Sequence, residues 1–286
     1  MGIDKIKYFN KIKWLILLIW IAYAIIFNLK FKIFLPLYED YSQKGDLKMN
    51  NGIALIGGSN LRMGLSAELI SNNFYECLNF GISIEKGTFS EYINYLNGKV
   101  TTDFVVYSPA YIWSEAPINQ DDSYRNSILK LSNFIPPISI LSQIREVISP
   151  SLSRTKFNSY GDQEGYDCSI KFSSFEINEK KFTSSNKIII EEITYRVEKL
   201  KETTGADKIF IRIPPVYAEE DEKKLISKCM EVRIKALKSA GIIVVGETIV
   251  SSDKSLFCDN FHPNEKGREF FSMELKKILQ KMKLSI

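Results

Sequence analysis

The sequence predicts an α/β fold: a three-layer α/β/α sandwich with a central parallel five-stranded sheet, preceded by one N-terminal transmembrane helix. Three observations predict it. From residue 52 onward, short apolar runs alternate with longer helical patterns. Strands separated in this way by helices form a parallel sheet covered on both faces. Ahead of them, residues 14–27 are uninterrupted by charge or proline.

The N-terminal stretch runs from Trp14 to Phe27, then Asn28 and Leu29, before Lys30. Its core is somewhat shorter than the roughly 20 residues that span a bilayer. Lysines at both ends snorkel to the interfaces, and Phe31, Ile33 and Phe34 extend the apolar length. Four lysines precede the core and two closely follow it, which favours a cytoplasmic N-terminus and an exported domain. No small-residue cleavage site follows, so a retained anchor is expected rather than a cleaved signal peptide. A buried helix of the globular fold is the other alternative. Residues 1–34 read as the anchor, 35–51 as a linker, and 52–286 as one domain with an insertion at about 109–185.

Within that domain, strands are expected at 52–57, 75–79, 103–107, 208–213 and near 242–246. Helices are expected at 61–72, 87–97, 186–203, 219–240 and 263–282. The stretch from Pro109 to Ser185 breaks this rhythm and is rich in Ser, Asn, Asp and Gly over 149–185. A loop region of that length is usually functional or mobile, and it is read as covering a site.

Composition narrows the function. The chain has 286 residues, 45% hydrophobic and 25% charged, as globular proteins do. The net charge of +4 sits at the start, where residues 1–32 hold six lysines and one aspartate. The rest is close to neutral, so nucleic acid is not an expected partner. Cys77, Cys168, Cys229 and Cys258 match no zinc spacing, and three pairings are open to them. Cys77 and Cys229 fall in strand and helix patterns, where buried free thiols are the simpler reading.

The sole histidine, His262, lies in Asp259-Asn260-Phe261-His262, near the C-terminus. Far upstream, Ile53-Ala54-Leu55-Ile56 runs into Gly57-Gly58-Ser59-Asn60. A strand breaking into glycines and a serine exposes a hydroxyl at the carboxyl end of a parallel sheet, where ligands bind. A serine hydroxyl needs a neighbouring base, and an imidazole oriented by a carboxylate supplies one. Ser59, His262 and Asp259 are therefore the candidate catalytic residues. No metal and no cofactor is expected.

These residues resemble the SGNH (GDSL-like) hydrolase superfamily over roughly residues 50–280. Ser59 stands where that family has its nucleophile, with Gly58 in place of the usual aspartate. Asn79-Phe80-Gly81-Ile82-Ser83 resembles the second block, which implies that the Gly81 N–H joins the Ser59 N–H in an oxyanion hole. Asp259-x-x-His262 resembles the last block. The third block, usually Gly-x-Asn-Asp, is replaced by Tyr107-Ser108-Pro109-Ala110. Asn60 or Ser108 is then a candidate third donor. The Ser-Pro, the Gly-Gly-Ser and the anchor together resemble a narrower group: membrane-tethered polysaccharide O-acyltransferases and the D-alanyl transfer protein of teichoic-acid modification.

That resemblance implies a membrane-anchored serine O-acyltransferase or acylesterase acting on an extracytoplasmic polysaccharide or cell-envelope glycan. It implies a single-pass protein of the cell membrane, held by residues 14–29, with its catalytic domain outside the cytoplasm. The partners would be a glycan acceptor and a multi-span membrane protein delivering the acyl donor. Tyr111 and Trp113 are candidates to stack on the acceptor, with core packing the equal alternative for each. The alternatives are a secreted-type lipase or esterase, and a non-catalytic glycan-binding or scaffold subunit of a polysaccharide-modification complex.

Overall fold

The computed structural model describes residues 14–21, 44–82, 89–115, 156–165, 168, 171–174, 177–246 and 248–282. The chain divides into two compact units, one of residues 1–39 and 121–152, the other of 40–120 and 153–286. In the first, residues 14–21 are helical. Among the described residues no helix is long and apolar enough to cross a membrane. The remainder of the expected anchor, 1–13 and 22–34, lies outside the described residues, as does 116–155 of the expected insertion.

The second unit is built on five parallel strands: β1 (Ile53–Gly57), β2 (Cys77–Asn79), β3 (Phe104–Ser108), β4 (Lys208–Arg212) and β5 (Ile243–Val245), in the order β2-β1-β3-β4-β5. All five positions of β1 and of β3 are buried, as strands covered on both faces must be. Around the sheet run helices α1 (Ser59–Gly64), α2 (Ala67–Ile70), α3 (Phe89–Leu96), α4 (Glu179–Ser184), α5 (Asn186–Thr204), α6 (Glu220–Ser239) and α7 (Glu265–Lys281). Side chains alternate across each strand. Ile53, Leu55, Phe104, Val106 and Phe210 face a core shared with Leu61 of α1 and with Phe271, Leu275 and Leu279 of α7. Ala54, Ile56, Val105 and Tyr107 point to the opposite layer, where α3 packs on α5 and α5 on α6. The expected five-stranded parallel α/β fold is therefore present.

Two local expectations change. The helix expected at 61–72 is two short helices, because Leu65 and Ser66 are extended. Ser66 caps α2 through Leu69 N, and the Asp162 carboxylate accepts from Ala67 N at 2.7 Å and Glu68 N at 3.0 Å. Capping a new helix start thus outcompetes continuation of the first. The end of the expected 35–51 linker belongs to the domain instead. Met49 is buried and joins Val100 in a parallel bridge, while the Lys44 ammonium donates to the carbonyls of Asn79 and Gly81. The described parts of the expected insertion form a 3-10 turn at Ala110–Trp113, the antiparallel pair Lys156–Phe157 with Gln163–Glu164, and α4.

The strand order sets where a site can form. From β1 the chain crosses to β2 on one side, then to β3 on the other. The carboxyl ends of β1 and β3 border the crevice that such a reversal opens. Ser59 follows β1 and Ser108 ends β3, with Gly57 and Ser108 in register.

Candidate active site

Ser59 is the first residue of α1, one residue past the Gly57-Gly58 turn. The turn needs Gly57 because a Cβ there would lie 2.6 Å from the Ser108 carbonyl oxygen. The backbone N–H groups of Ser59 and Asn60, in the first turn of α1, meet no acceptor among the described residues.

The histidine comes from the loop that precedes α7. Asp259 Oδ1 accepts the N–H of Phe261 at 2.7 Å and of His262 at 2.8 Å, which folds the four residues into a tight turn. The turn puts His262 Nδ1 at 2.9 Å from Asp259 Oδ2 and His262 Nε2 at 3.0 Å from Ser59 Oγ. A carboxylate only accepts, so Nδ1 carries the proton and Nε2 is left to accept the Ser59 hydroxyl. Burial raises the Asp259 pKa, but hydrogen bonds from His262 and from the Phe261 and His262 N–H groups outweigh it and hold the carboxyl below its ordinary value. Asp259 is therefore ionised at neutral pH, the state that orients an imidazole. The His262 and Asp259 side chains are 26% and 34% exposed, so the group opens to solvent rather than to an enclosed cavity. Among the described residues no cluster of His, Cys, Asp and Glu suits a metal ion.

The other expected site residues fare differently. Gly81 is not free to serve as an oxyanion donor, since its N–H donates to Asn79 Oδ1 at 2.9 Å. The amide orientation follows from the other end, where Asn79 Nδ2 donates to Leu65 O and Asp162 Oδ1. Gly81 is a glycine for a packing reason: a Cβ would lie 2.9 Å from Arg62 N in α1. The Asn60 side chain, 5% exposed, donates to Phe261 O at 2.9 Å, while its Oδ1 lies 3.4 Å from Ser59 Oγ. It ties the serine helix to the histidine turn. Ser108 is fully buried, with its hydroxyl unpaired among the described residues.

Tyr111 and Trp113 do not face a substrate. Both are buried; Tyr111 stacks on the Arg196 guanidinium and Trp113 Nε1 donates to Pro214 O at 2.9 Å. The buried Arg233 guanidinium holds this turn inward through the carbonyls of Ile112 and Ser114. Packing and hydrogen bonding therefore fix the two rings, and the segment after β3 supplies core there.

Sequence reasoning missed three supports. Asp162, 4% exposed, caps α2 and accepts from Ser66 Oγ and Asn79 Nδ2. Asn260, 3% exposed, sits inside the Asp-x-x-His turn and bonds to Ser173 and Tyr217. A Cys168–Cys258 disulfide spans 90 residues, while Cys77 and Cys229 are free and buried. Only the even cysteine count hinted at any of these, since Asp162 and Cys168 lie in an aperiodic stretch.

No protein-family model matches the chain, and no curated protein is similar to it in sequence. Among solved structures, the lipase Lip_vut3 from a goat rumen metagenome aligns with 80% of this chain and 96% of its own. The identity is 14% and the TM-score 0.36, a likeness that says nothing about activity.

Proposed function

We propose that the protein is an SGNH-type serine enzyme that moves acyl groups on or off an extracytoplasmic polysaccharide, anchored to the membrane by residues 14–29. The observation that carries the chemistry is the continuous relay from Ser59 Oγ through His262 to Asp259, at 3.0 and 2.9 Å. As Ser59 Oγ attacks an acyl carbonyl, its proton passes to His262 Nε2, and Asp259 stabilises the imidazolium through Nδ1–H. The unpaired N–H groups of Ser59 and Asn60 meet the developing oxyanion, where one lost donor typically costs about 10²–10³-fold in rate. Collapse expels the donor's leaving group, which takes the proton from Nε2 and leaves an acyl ester on Ser59. An acceptor hydroxyl then gives its proton to Nε2 and attacks the ester, and Ser59 Oγ recovers a proton as it departs.

The cellular setting rests on other support. The lysine excess before the apolar stretch favours an exported domain. The Cys168–Cys258 disulfide fits an oxidising compartment. A partly exposed Asp259–His262 pair suits a bulky glycan better than a buried one would. Burial of Tyr111 and Trp113 removes the expected acceptor platform, so glycan transfer over hydrolysis now rests on the anchor and the family resemblance. A multi-span partner would deliver the acyl donor across the membrane. The non-catalytic scaffold reading draws on one observation, the engagement of the Gly81 N–H by Asn79. The deciding experiment supplies an activated acyl ester with and without polysaccharide. The proposal expects acylated glycan that depends on Ser59. Release of free acid alone, unchanged by glycan, would leave an esterase, and no turnover of either kind would favour the scaffold.

A further inference from the structure

The turn carrying Asp259 and His262 is not part of the sheet or of any described helix, yet its two side chains must meet Ser59 within a hydrogen bond. The turn is shaped by bonds of its own, from Cys258 N to His262 O at 2.8 Å and from Phe261 N and His262 N to Asp259 Oδ1, and Asn60 ties it to α1. The stretch after the hairpin at 156–164 adds a further set of attachments. Cys258, directly before Asp259, is disulfide-bonded to Cys168. The Cys258 carbonyl accepts the Lys171 N–H at 3.0 Å, and Lys171 pairs with Asp259 in a parallel bridge. Asn260 then grips Ser173 from both sides. Its Oδ1 accepts from Ser173 N at 3.0 Å, and its Nδ2 donates to Ser173 O at 2.8 Å. From the opposite direction, Tyr217 N donates to Asn260 O at 2.9 Å. None of these groups touches the reacting atoms, and all of them fix where Asp259 and His262 stand.

We propose that the Cys168–Cys258 disulfide and Asn260 are positioning elements of the acyl-transfer step, holding the acid–base turn in line with Ser59. The inference rests on the reading of Ser59 as nucleophile. The physical reason is the steepness of the requirement. A displacement of about 1 Å at a reacting group can lower a rate on the order of 100-fold. The turn's own bridge, Phe257 with Pro263, sets its shape but not its place against α1, and outside attachment guards against that displacement. The disulfide also restricts the unfolded chain, which stabilises the domain without any bearing on rate. A test must separate these two effects.

The separation comes from time-resolved labelling with a fluorophosphonate, in which Ser59 Oγ bonds to phosphorus and fluoride leaves. It gives the phosphonylation rate constant and the reversible affinity independently, and it needs the same nucleophile and base as acyl transfer. The variants are Cys168→Ser/Cys258→Ser, Asn260→Ala and, as a control matched for loss of Tm, the core change Leu279→Ala. Folded wild-type protein is also reduced in place by dithiothreitol. Its thiolate attacks the half-buried Cys168 sulfur, it leaves as its cyclic disulfide, and two new thiols remain, countable by alkylation and mass. The rate constant should fall on the order of 10–100-fold in both variants and in the reduced protein, with affinity nearly unchanged. It should return on reoxidation and stay near wild type in Leu279→Ala. A reduced, folded protein that is phosphonylated at the wild-type rate would remove the disulfide from this role. A matching fall in Leu279→Ala would reduce the whole network to a stabilising one. Labelling that survives Ser59→Ala overturns the nucleophile reading, and this proposal with it, an outcome distinct from the other two.

Discussion

At the scale of single residues, the relay depends on one imidazole with no substitute, since His262 is the only histidine in the chain. His262→Ala should lower turnover by roughly 10³-fold or more while leaving the melting curve close to wild type, because the side chain is partly exposed. Turnover within a few-fold of wild type would remove the relay from the account. Asp259 gives a second, pH-dependent expectation. Its folded-state pKa is held below the ordinary value, so its contribution to stability is complete above the unfolded value of about 3.9 and is lost as pH falls through the lower folded value. The Tm advantage of wild type over Asp259→Asn should therefore be present at neutral pH and shrink below about pH 4. A pH-independent difference would show that the carboxylate charge is not what the turn uses. These residues were legible in the sequence because each sits in a short motif after an apolar run. Gly81 was legible as a glycine but not in its role, since the amide of Asn79 takes its N–H through a side-chain contact that no spacing encodes.

At the scale of elements, the strands and long helices were readable because burial on both faces, or along one stripe, imposes a period. The break between α1 and α2 was not, because the carboxylate that starts the second helix lies about a hundred residues downstream, at Asp162. Asp162→Ala leaves Ala67 N, Glu68 N, Ser66 Oγ and Asn79 Nδ2 short of a partner. It should destabilise the domain by on the order of 2–4 kcal/mol, seen as a lower urea midpoint at unchanged slope. A midpoint close to wild type would mean that the capping contributes little. The turn after β3 makes the opposite kind of case. Its aromatic residues read as a ligand platform, but Arg196, Arg233 and the Pro214 carbonyl hold them inward. Trp113→Ala should accordingly lower stability by roughly 3–5 kcal/mol, while the folded fraction keeps its acylation rate. A variant that stays as stable as wild type but loses transfer to glycan would restore Trp113 as an acceptor contact.

At the scale of the whole molecule, the order β2-β1-β3-β4-β5 explains why residues 203 positions apart meet. The reversal beside β1 opens the crevice, β1 delivers the serine to its mouth, and the loop before α7 returns the histidine across it. The sequence carried the last two of these as motifs, whereas the reversal itself and the disulfide and Asn260 clamp arise only in three dimensions. Topology in the cell is a separate expectation. Reporter fusions after residue 50 should signal outside the cytoplasm, and a cytoplasmic signal would contradict the lysine bias of residues 1–32. The central claim, that Ser59 is a nucleophile activated by His262, is tested most directly by the intact mass of the folded protein after fluorophosphonate treatment. The account predicts one adduct on wild type, located at Ser59 by peptide mapping, none on Ser59→Ala, and a rate lowered by orders of magnitude on His262→Ala. An unmodified wild type, or an adduct that persists in Ser59→Ala, would contradict it.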